Sequence, residues 1–232
     1  MAKKALVTGD SRGLGAAIVR GLRDSGYQVL GVSRSGSGGS SVRLDLSDPD
    51  ATAVWAAGDE LGGFLAGASE VVLVNNAGTV RPIADAGDQG ARPIISAVNL
   101  NVTAALVLTD AVLGRRPEGA SVRVVHISSG AGRRPYPGWS VYCATKAALD
   151  MHALAVASEE DALVRIESIA PGVVDTDMQG EIRDAHGFRL RDRFVELRDS
   201  GELLRPEDAA GRVLARLASD DFGARVVSDV RD

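Results

Sequence analysis

Thr8-Gly9-Asp10-Ser11-Arg12-Gly13-Leu14-Gly15 is the stretch on which the reading of this 232-residue chain turns. Before it stands Lys4-Ala5-Leu6-Val7, a short apolar run with strand character. After it, residues 15–25 repeat apolar positions at helical spacing. Glycines between a strand and a helix permit a tight turn and let backbone approach a pyrophosphate. The helix N-terminus beyond them offers unpaired N–H groups and about half a positive charge. The turn is therefore expected to bind a dinucleotide.

Outward from that turn the same rhythm continues. Strand-like runs fall at 4–8, 28–33, 42–45, 70–74, 121–127, 163–169 and 225–228. Helical periodicity falls at 15–25, 50–65, 93–113, 142–158 and 207–218. Most strands are apolar throughout, as in a parallel sheet covered on both faces. The pattern predicts an α/β fold: a single doubly wound Rossmann-type domain spanning 1–232, with a seven-stranded parallel sheet and helices on both faces. Two segments break the rhythm. Ser35-Gly36-Ser37-Gly38-Gly39-Ser40-Ser41 is too short for a helical crossover. Residues 177–205 are charged and weakly amphipathic, and read either as a surface helix pair or as a substrate lid.

Composition excludes several classes. Apolar residues make up 45% and charged residues 25%, which is ordinary globular usage rather than disorder. Net charge is −5 and the pI about 5.3, so no nucleic-acid partner is expected. Mean hydropathy is +0.03 and no eighteen consecutive apolar residues occur, so no membrane association is expected either. Met1-Ala2-Lys3-Lys4 runs into the first strand without a signal-peptide pattern. The single Cys143 rules out an internal disulfide and suggests a reducing, cytoplasmic setting. His126, His152 and His186 lack metal-ligand spacing, so no metal is expected. Glycine is abundant, at 27 residues, and only nine residues are aromatic.

The spacing T-G-x-x-x-G-x-G resembles the glycine motif of the short-chain dehydrogenase/reductase family, and other family motifs follow in order. Asn75-Asn76-Ala77-Gly78 ends the fourth strand; Tyr142-Cys143-Ala144-Thr145-Lys146 matches Y-x-x-x-K, with Ser129 thirteen residues before Tyr142. Pro171-Gly172-Val173-Val174-Asp175-Thr176 matches the P-G-x-x-x-T that borders a nicotinamide. The resemblance implies a catalytic set of Asn101, Ser129, Tyr142 and Lys146, Asn99 being a rival for Asn101. It implies cofactor contacts from Gly9, Ser11, Arg12, Gly13, Leu14, Gly15, Asn76, Ala77, Gly78, Tyr142, Lys146, Pro171, Gly172, Val174 and Thr176, and from Asp45 and Leu46 beside the adenine. It also implies a homodimer packed through the helices bearing Asn101 and Tyr142, with a tetramer left open.

Charge argues for the nicotinamide partner. The second strand ends Val32-Ser33-Arg34 without the carboxylate that would favour NAD. Arg12 and Arg34 suit a 2′-phosphate, with Ser33 beside them, so NADPH is expected. Asp10 stands where the family usually has a small residue, and either points away or accepts backbone N–H groups. Tyr142 and Lys146 lie four apart and share a helix face. Lowering a phenol by three pKa units takes about 4 kcal/mol, and one cation about 4 Å away at an effective dielectric near 20 supplies about that much. Lys146 is accordingly expected to activate Tyr142 for proton transfer to or from a carbonyl oxygen, with Ser129 bonding that oxygen. In the family, Asn101 would hold a water leading from Lys146 to solvent.

The segments around Ser129 and Met178 resemble the sepiapterin reductase-like branch of the family, which includes bacterial benzil reductases. That likeness implies a small-molecule carbonyl substrate with vicinal oxygen functions, a diketone or a pterin side chain. Tyr136, Trp139 and Met178 are expected to line its site, and Asp229 falls where the branch anchors a pterin. Reduction of another ketone such as a 3-oxoacyl thioester, or non-catalytic cofactor sensing, are the other readings.

Overall fold

The computed structural model describes residues 2–36, 38 and 40–231. Seven parallel strands form one sheet: β1 (Ala2–Thr8), β2 (Gln28–Ser33), β3 (Ser41–Arg43), β4 (Ala68–Asn75), β5 (Ser121–Ile127), β6 (Val164–Ala170) and β7 (Val227–Asp229), in the spatial order β3-β2-β1-β4-β5-β6-β7. The order reverses between β1 and β4, which opens a crevice at the carboxyl ends of the strands. The glycine turn follows β1 directly, so it lies at that crevice.

Alternation within each apolar strand fills both faces. Ala5, Val7, Val72, Val74, Val125 and Ile169 face one way, under α1 (Gly13–Asp24) and α9 (Pro206–Ala218). Leu6, Val71, Leu73, Val122, Val124 and Ile166 face the other. There they meet α2 (Pro49–Ala57), α3 (Asp59–Leu65), α5 (Ala104–Arg115) and α6 (Ser140–Ala157). Strands buried on both sides carry no polar stripe, which is why they read as continuous apolar runs.

Several boundaries have local causes. Asp48 caps α2 by accepting from the Ala51 N–H at 3.0 Å, and Pro49 opens the helix. One expected helix over 50–65 is two, parted at Gly58. No helix occurs among the described residues between β2 and β3, whose pairing starts at Gly31 and Ser41; Ser37 and Gly39 of that crossover lie outside the described residues.

The region 93–113 is longer than its periodicity suggested. α4 (Ala91–Val98) passes through a π-helical turn, Asn99–Thr103, into α5 without a break. The continuous run Ala91–Arg115 has a hydropathy of 1.5 over its best window and is long and apolar enough to cross a membrane. A count of consecutive apolar residues passes over this run, because Asn99, Asn101 and Thr103 interrupt it without lowering its mean much. In this fold Ala104, Leu108 and Val112 are buried against the sheet, so the helix serves the core.

The segment 177–205 forms α7 (Asp177–Asp184) and α8 (Arg191–Asp199). Ile182 of α7, Phe188 of the connection and Phe194 of α8 pack with Val80, Trp139 and Tyr142 in a third apolar cluster, apart from the two sheet cores. Further on, Glu167 of β6 is wholly buried and pairs with Arg216 of α9 through bonds of 2.9 and 2.5 Å. Its carboxylate also accepts from the Gly223 N–H at 2.7 Å, pinning the end of the chain to the sheet.

Candidate active site

At the crevice the chain encloses a cleft of about 1340 Å³. One end is built from backbone. Gly9 lies at φ +69°, and a Cβ on Gly15 would stand 2.1 Å from the Gly9 carbonyl oxygen, so the turn closes only with glycine there. The α1 N-terminus carries no side-chain cap and no acidic residue in its first turn, leaving its N–H groups free for an anion. Thr8 fixes the neighbouring loop: its Oγ1 accepts from the N–H groups of Asn76 and Ala77, both at 2.9 Å. Asn76 answers by donating to the Thr8 carbonyl at 2.9 Å.

These features fit a dinucleotide on structural grounds. Ser11, Arg12, Gly13 and Leu14 line the cleft with Gly9 and Gly15; Ala77 and Gly78 continue it beside Asn76. Ser33, Arg34, Asp45 and Leu46 line the end beyond β2. The Ser33 hydroxyl is buried there without a hydrogen-bond partner among the described residues, as expected of a group awaiting a ligand. Arg43, which the sequence reading missed, lines the same end and donates from Nε to the Arg34 carbonyl at 3.1 Å. Its signal was its place at the close of β3, two residues before Asp45. Asp45 accepts from the Ser47 N–H and hydroxyl, and these bonds with Arg34 hold its carboxyl below the usual range despite partial desolvation.

Asp10 turns away from the cleft. It is buried over β2, where its carboxylate takes the space of a Cβ on Gly31 and accepts from the Ser41 hydroxyl at 2.8 Å. Asp10 thus braces the short crossover to β3 rather than opposing a pyrophosphate.

Across the cleft, α6 presents Tyr142 and Lys146. The Ser129 side chain neighbours the Tyr142 phenol, and its hydroxyl accepts from the Ala131 N–H at 3.2 Å. Lys146 Nζ donates to the Ile127 carbonyl at 2.7 Å and lies 5.7 Å from the Tyr142 ring centre. A Cβ on Gly78 would stand 3.3 Å from Asn101 Oδ1 and 3.7 Å from Lys146 Nζ, which places the four together.

The electrostatics differ from the sequence argument. Burial pushes the Tyr142 phenol up to about 12, although the Ser129 bond works in the opposite direction. Burial draws Lys146 down to about 8 against the pull of Asp150. A wholly buried phenol loses more by desolvation than one ammonium 5.7 Å from its ring recovers. Burial thus favours the neutral phenol of Tyr142 over its phenolate.

Asn101 does not line the cleft. Its Oδ1 accepts from the Thr79 N–H at 2.8 Å, while Nδ2 donates to the Thr79 carbonyl at 2.9 Å and to Thr145 Oγ1 at 3.1 Å. The side chain is spent on holding the loop after β4. The rival Asn99 donates to the Ser47 carbonyl at 3.2 Å instead.

Pro171, Gly172, Val174, Thr176 and Met178 complete the wall below Tyr136 and Trp139. Trp139 stacks on Phe188 at 4.8 Å and meets Tyr142 edge-on at 5.3 Å. Gln179, absent from the sequence expectations, is buried in the same wall with its amide oxygen unpaired among the described residues, as is the Trp139 indole N–H. Asp229 is not brought to the cleft. Arg231 holds its carboxylate at 2.7 and 2.6 Å, keeping it below the usual carboxylate range, and Arg231 itself lines the cleft. Cys143 is half-buried at the edge of the aromatic cluster. His126 is fully buried between Asn75 and His152, and burial draws it down to about 3.

A reversed parallel sheet, a glycine turn and a Ser–Tyr–Lys group at one crevice define a dinucleotide-dependent oxidoreductase. The short chain dehydrogenase family model matches residues 67–187, and the chain belongs to that family. It is 34% identical to a benzil reductase ((S)-benzoin forming) of Bacillus cereus, over 94% of each chain. It is 35% identical to the sepiapterin reductase of Rattus norvegicus, over 95% of this chain and 94% of that one. A short chain dehydrogenase from Burkholderia cenocepacia J2315, solved in complex with NADP, superposes with a TM-score of 0.77 at 27% identity, covering 97% of this chain and 94% of that chain. The protein is an oxidoreductase acting on carbonyl or alcohol groups.

Proposed function

We propose that the protein is an NADPH-dependent reductase of ketones with a vicinal oxygen function, of which aryl diketones and the side chain of a reduced pterin are the model substrates. The observation that carries this reading is the buried Tyr142, with Ser129 and Lys146 lining the same end of the dinucleotide cleft. Reduction needs a proton donor, and a phenol pushed up to about 12 stays protonated at neutral pH.

A bound nicotinamide supplies the hydride. Ser129 and Tyr142 hold the substrate oxygen between their hydroxyls, and Tyr142 Oη delivers its proton there. Lys146, charged below about 8, favours the phenolate left behind. The Asn101 backbone carbonyl holds the water through which the proton is replaced. Trp139, Phe188 and Phe194 exclude bulk water from above, with 177–205 acting as the lid that admits substrate. Arg34 and Arg43, with Arg12, supply the charge for a 2′-phosphate, and the NADP complex of the Burkholderia relative supports that choice.

Exposed Ile95 and Val98 on α4, and Met151 and Leu154 on α6, support a homodimer through these helices, with a tetramer as the alternative. The lone Cys143 supports a cytoplasmic setting.

The test is consumption of NADPH and of NADH with benzil, sepiapterin, a simple ketone and a 3-oxoacyl thioester. The expected result is NADPH turnover with the first two. Tight NADPH binding without turnover of any of them overturns the reading in favour of a cofactor sensor.

A further inference from the structure

Asp150 is buried, 7% exposed, on α6 one turn beyond Lys146, and it does not line the cleft. Its Oδ1 accepts from two buried hydroxyls, Ser128 at the end of β5 and Ser168 in β6, each at 2.6 Å. Ser128 is the immediate neighbour of Ser129. Oδ2 meets Arg133 Nε at 3.3 Å, and Arg133 continues to the carbonyls of Ser228 at 2.8 Å and Ser168 at 3.4 Å. The turn bearing Arg133 sits hard on this helix: a Cβ on Gly132 would stand 2.9 Å from the Lys146 carbonyl carbon and 3.0 Å from Asp150 Oδ2. One carboxylate therefore joins the helix that carries Tyr142 and Lys146 to three neighbouring strand ends.

A neutral hydrogen-bonding residue would join the same elements. A carboxylate does something more, because both serine hydroxyls must donate to it and its charge acts on the Lys146 ammonium one helical turn back. The other charged or titratable groups around Lys146 are Tyr142 on α6, His126 on β5 and Arg133 on the turn. His126, buried between Asn75 and His152, is neutral at physiological pH, and Arg133 is cationic, so Asp150 is the only anion in this set.

We propose that Asp150 is a positioning residue for the reaction, fixing the helix of Tyr142 and Lys146 against the Ser129 strand end and supplying the negative charge that keeps Lys146 protonated. This rests on the reductase reading only for its consequence in turnover. The charge on Lys146 can be read by itself, because Lys3, Lys4 and Lys146 are the only lysines in the chain.

The experiment titrates Lys146 by NMR of protein labelled at lysine Cε, alongside pH profiles of kcat and NADPH affinity. Asp150→Asn keeps the shape and the acceptor oxygen but removes the charge. It is expected to lower the Lys146 midpoint by about one pH unit, to move the alkaline limb of the kcat profile with it, and to leave NADPH affinity within about twofold. Asp150→Glu should restore both midpoints. Arg133→Gln removes the opposing cation and should move the Lys146 midpoint upward, which a merely structural clamp would not do; it carries the test alone if Asp150→Asn does not fold. Superimposable Lys146 titrations in wild type and variants overturn the proposal. If the wild type reduces no carbonyl, the reductase reading falls while the Lys146 titration still decides this one.

Discussion

Arg12 Nη1 lies 2.5 Å from Asp177 Oδ2, joining the glycine turn to the first residue of α7. A second pair, Arg81 to Glu181 at 2.8 Å, ties the loop after β4 to the same helix. Both bridges cross from a loop lining the cleft to the segment that packs in the aromatic cluster. The arginine assigned to a 2′-phosphate from sequence is thus already paired, and a phosphate has to compete with Asp177 for it.

Removing that carboxylate separates the two roles. Asp177→Asn should tighten NADPH binding several-fold and leave NADH binding unchanged, while Arg12→Ala should weaken NADPH about tenfold. Both side chains are about two-thirds exposed, so stability should change by less than about 1 kcal/mol in either variant. Fluorescence titration with each nucleotide and a thermal melt check this; equal effects on NADPH and NADH would contradict it.

The pair at the other end of the chain is of a different kind. Glu167 is fully buried and Arg216 mostly so, and together they hold α9 and the start of β7 on the sheet. Arg216→Ala leaves a carboxylate uncompensated in the interior and should destabilise by about 3 kcal/mol. Urea denaturation measures it; a loss below about 1 kcal/mol would mean that water reaches Glu167 once the arginine is gone.

The sign of the pH dependence follows from two groups. Reduction needs the Tyr142 proton, which is retained throughout the physiological range because burial pushes the phenol up to about 12. It also needs the Lys146 charge, which is lost as pH rises through about 8. The rate of reduction should be level below that midpoint and fall above it. Alcohol oxidation, which starts from the phenolate beside a charged Lys146, should rise with pH up to that midpoint and level off above it. A profile of kcat in each direction, at saturating cofactor, checks both limbs.

Much of this site was legible because its chemistry needs residue types at fixed sequence spacings. The turn from Gly9 to Gly15 is local, and Tyr142 and Lys146 share a helix face by spacing alone. Apolar runs such as Val71-Val72-Leu73-Val74 announced buried parallel strands. What escaped depended on three-dimensional neighbours. Asp229 has the right position in the chain for a ligand anchor, but Arg231, two residues on, takes its carboxylate. The direction of the Tyr142 shift needed its burial, which an estimate from one charge at 4 Å omits. Asp10 looked misplaced beside a pyrophosphate until Gly31 showed where it packs. Arg43 and Gln179 belong to no motif and enter the cleft only because β3 and α7 bring them there.

The account stands most directly on Tyr142 as the proton donor. Tyr142→Phe removes the hydroxyl and keeps the ring that packs against Trp139. With NADPH and benzil, kcat should fall by about a thousandfold while the dissociation constant of NADPH stays within about twofold of wild type. A Tyr142→Phe enzyme that reduces benzil at the wild-type rate would contradict the account.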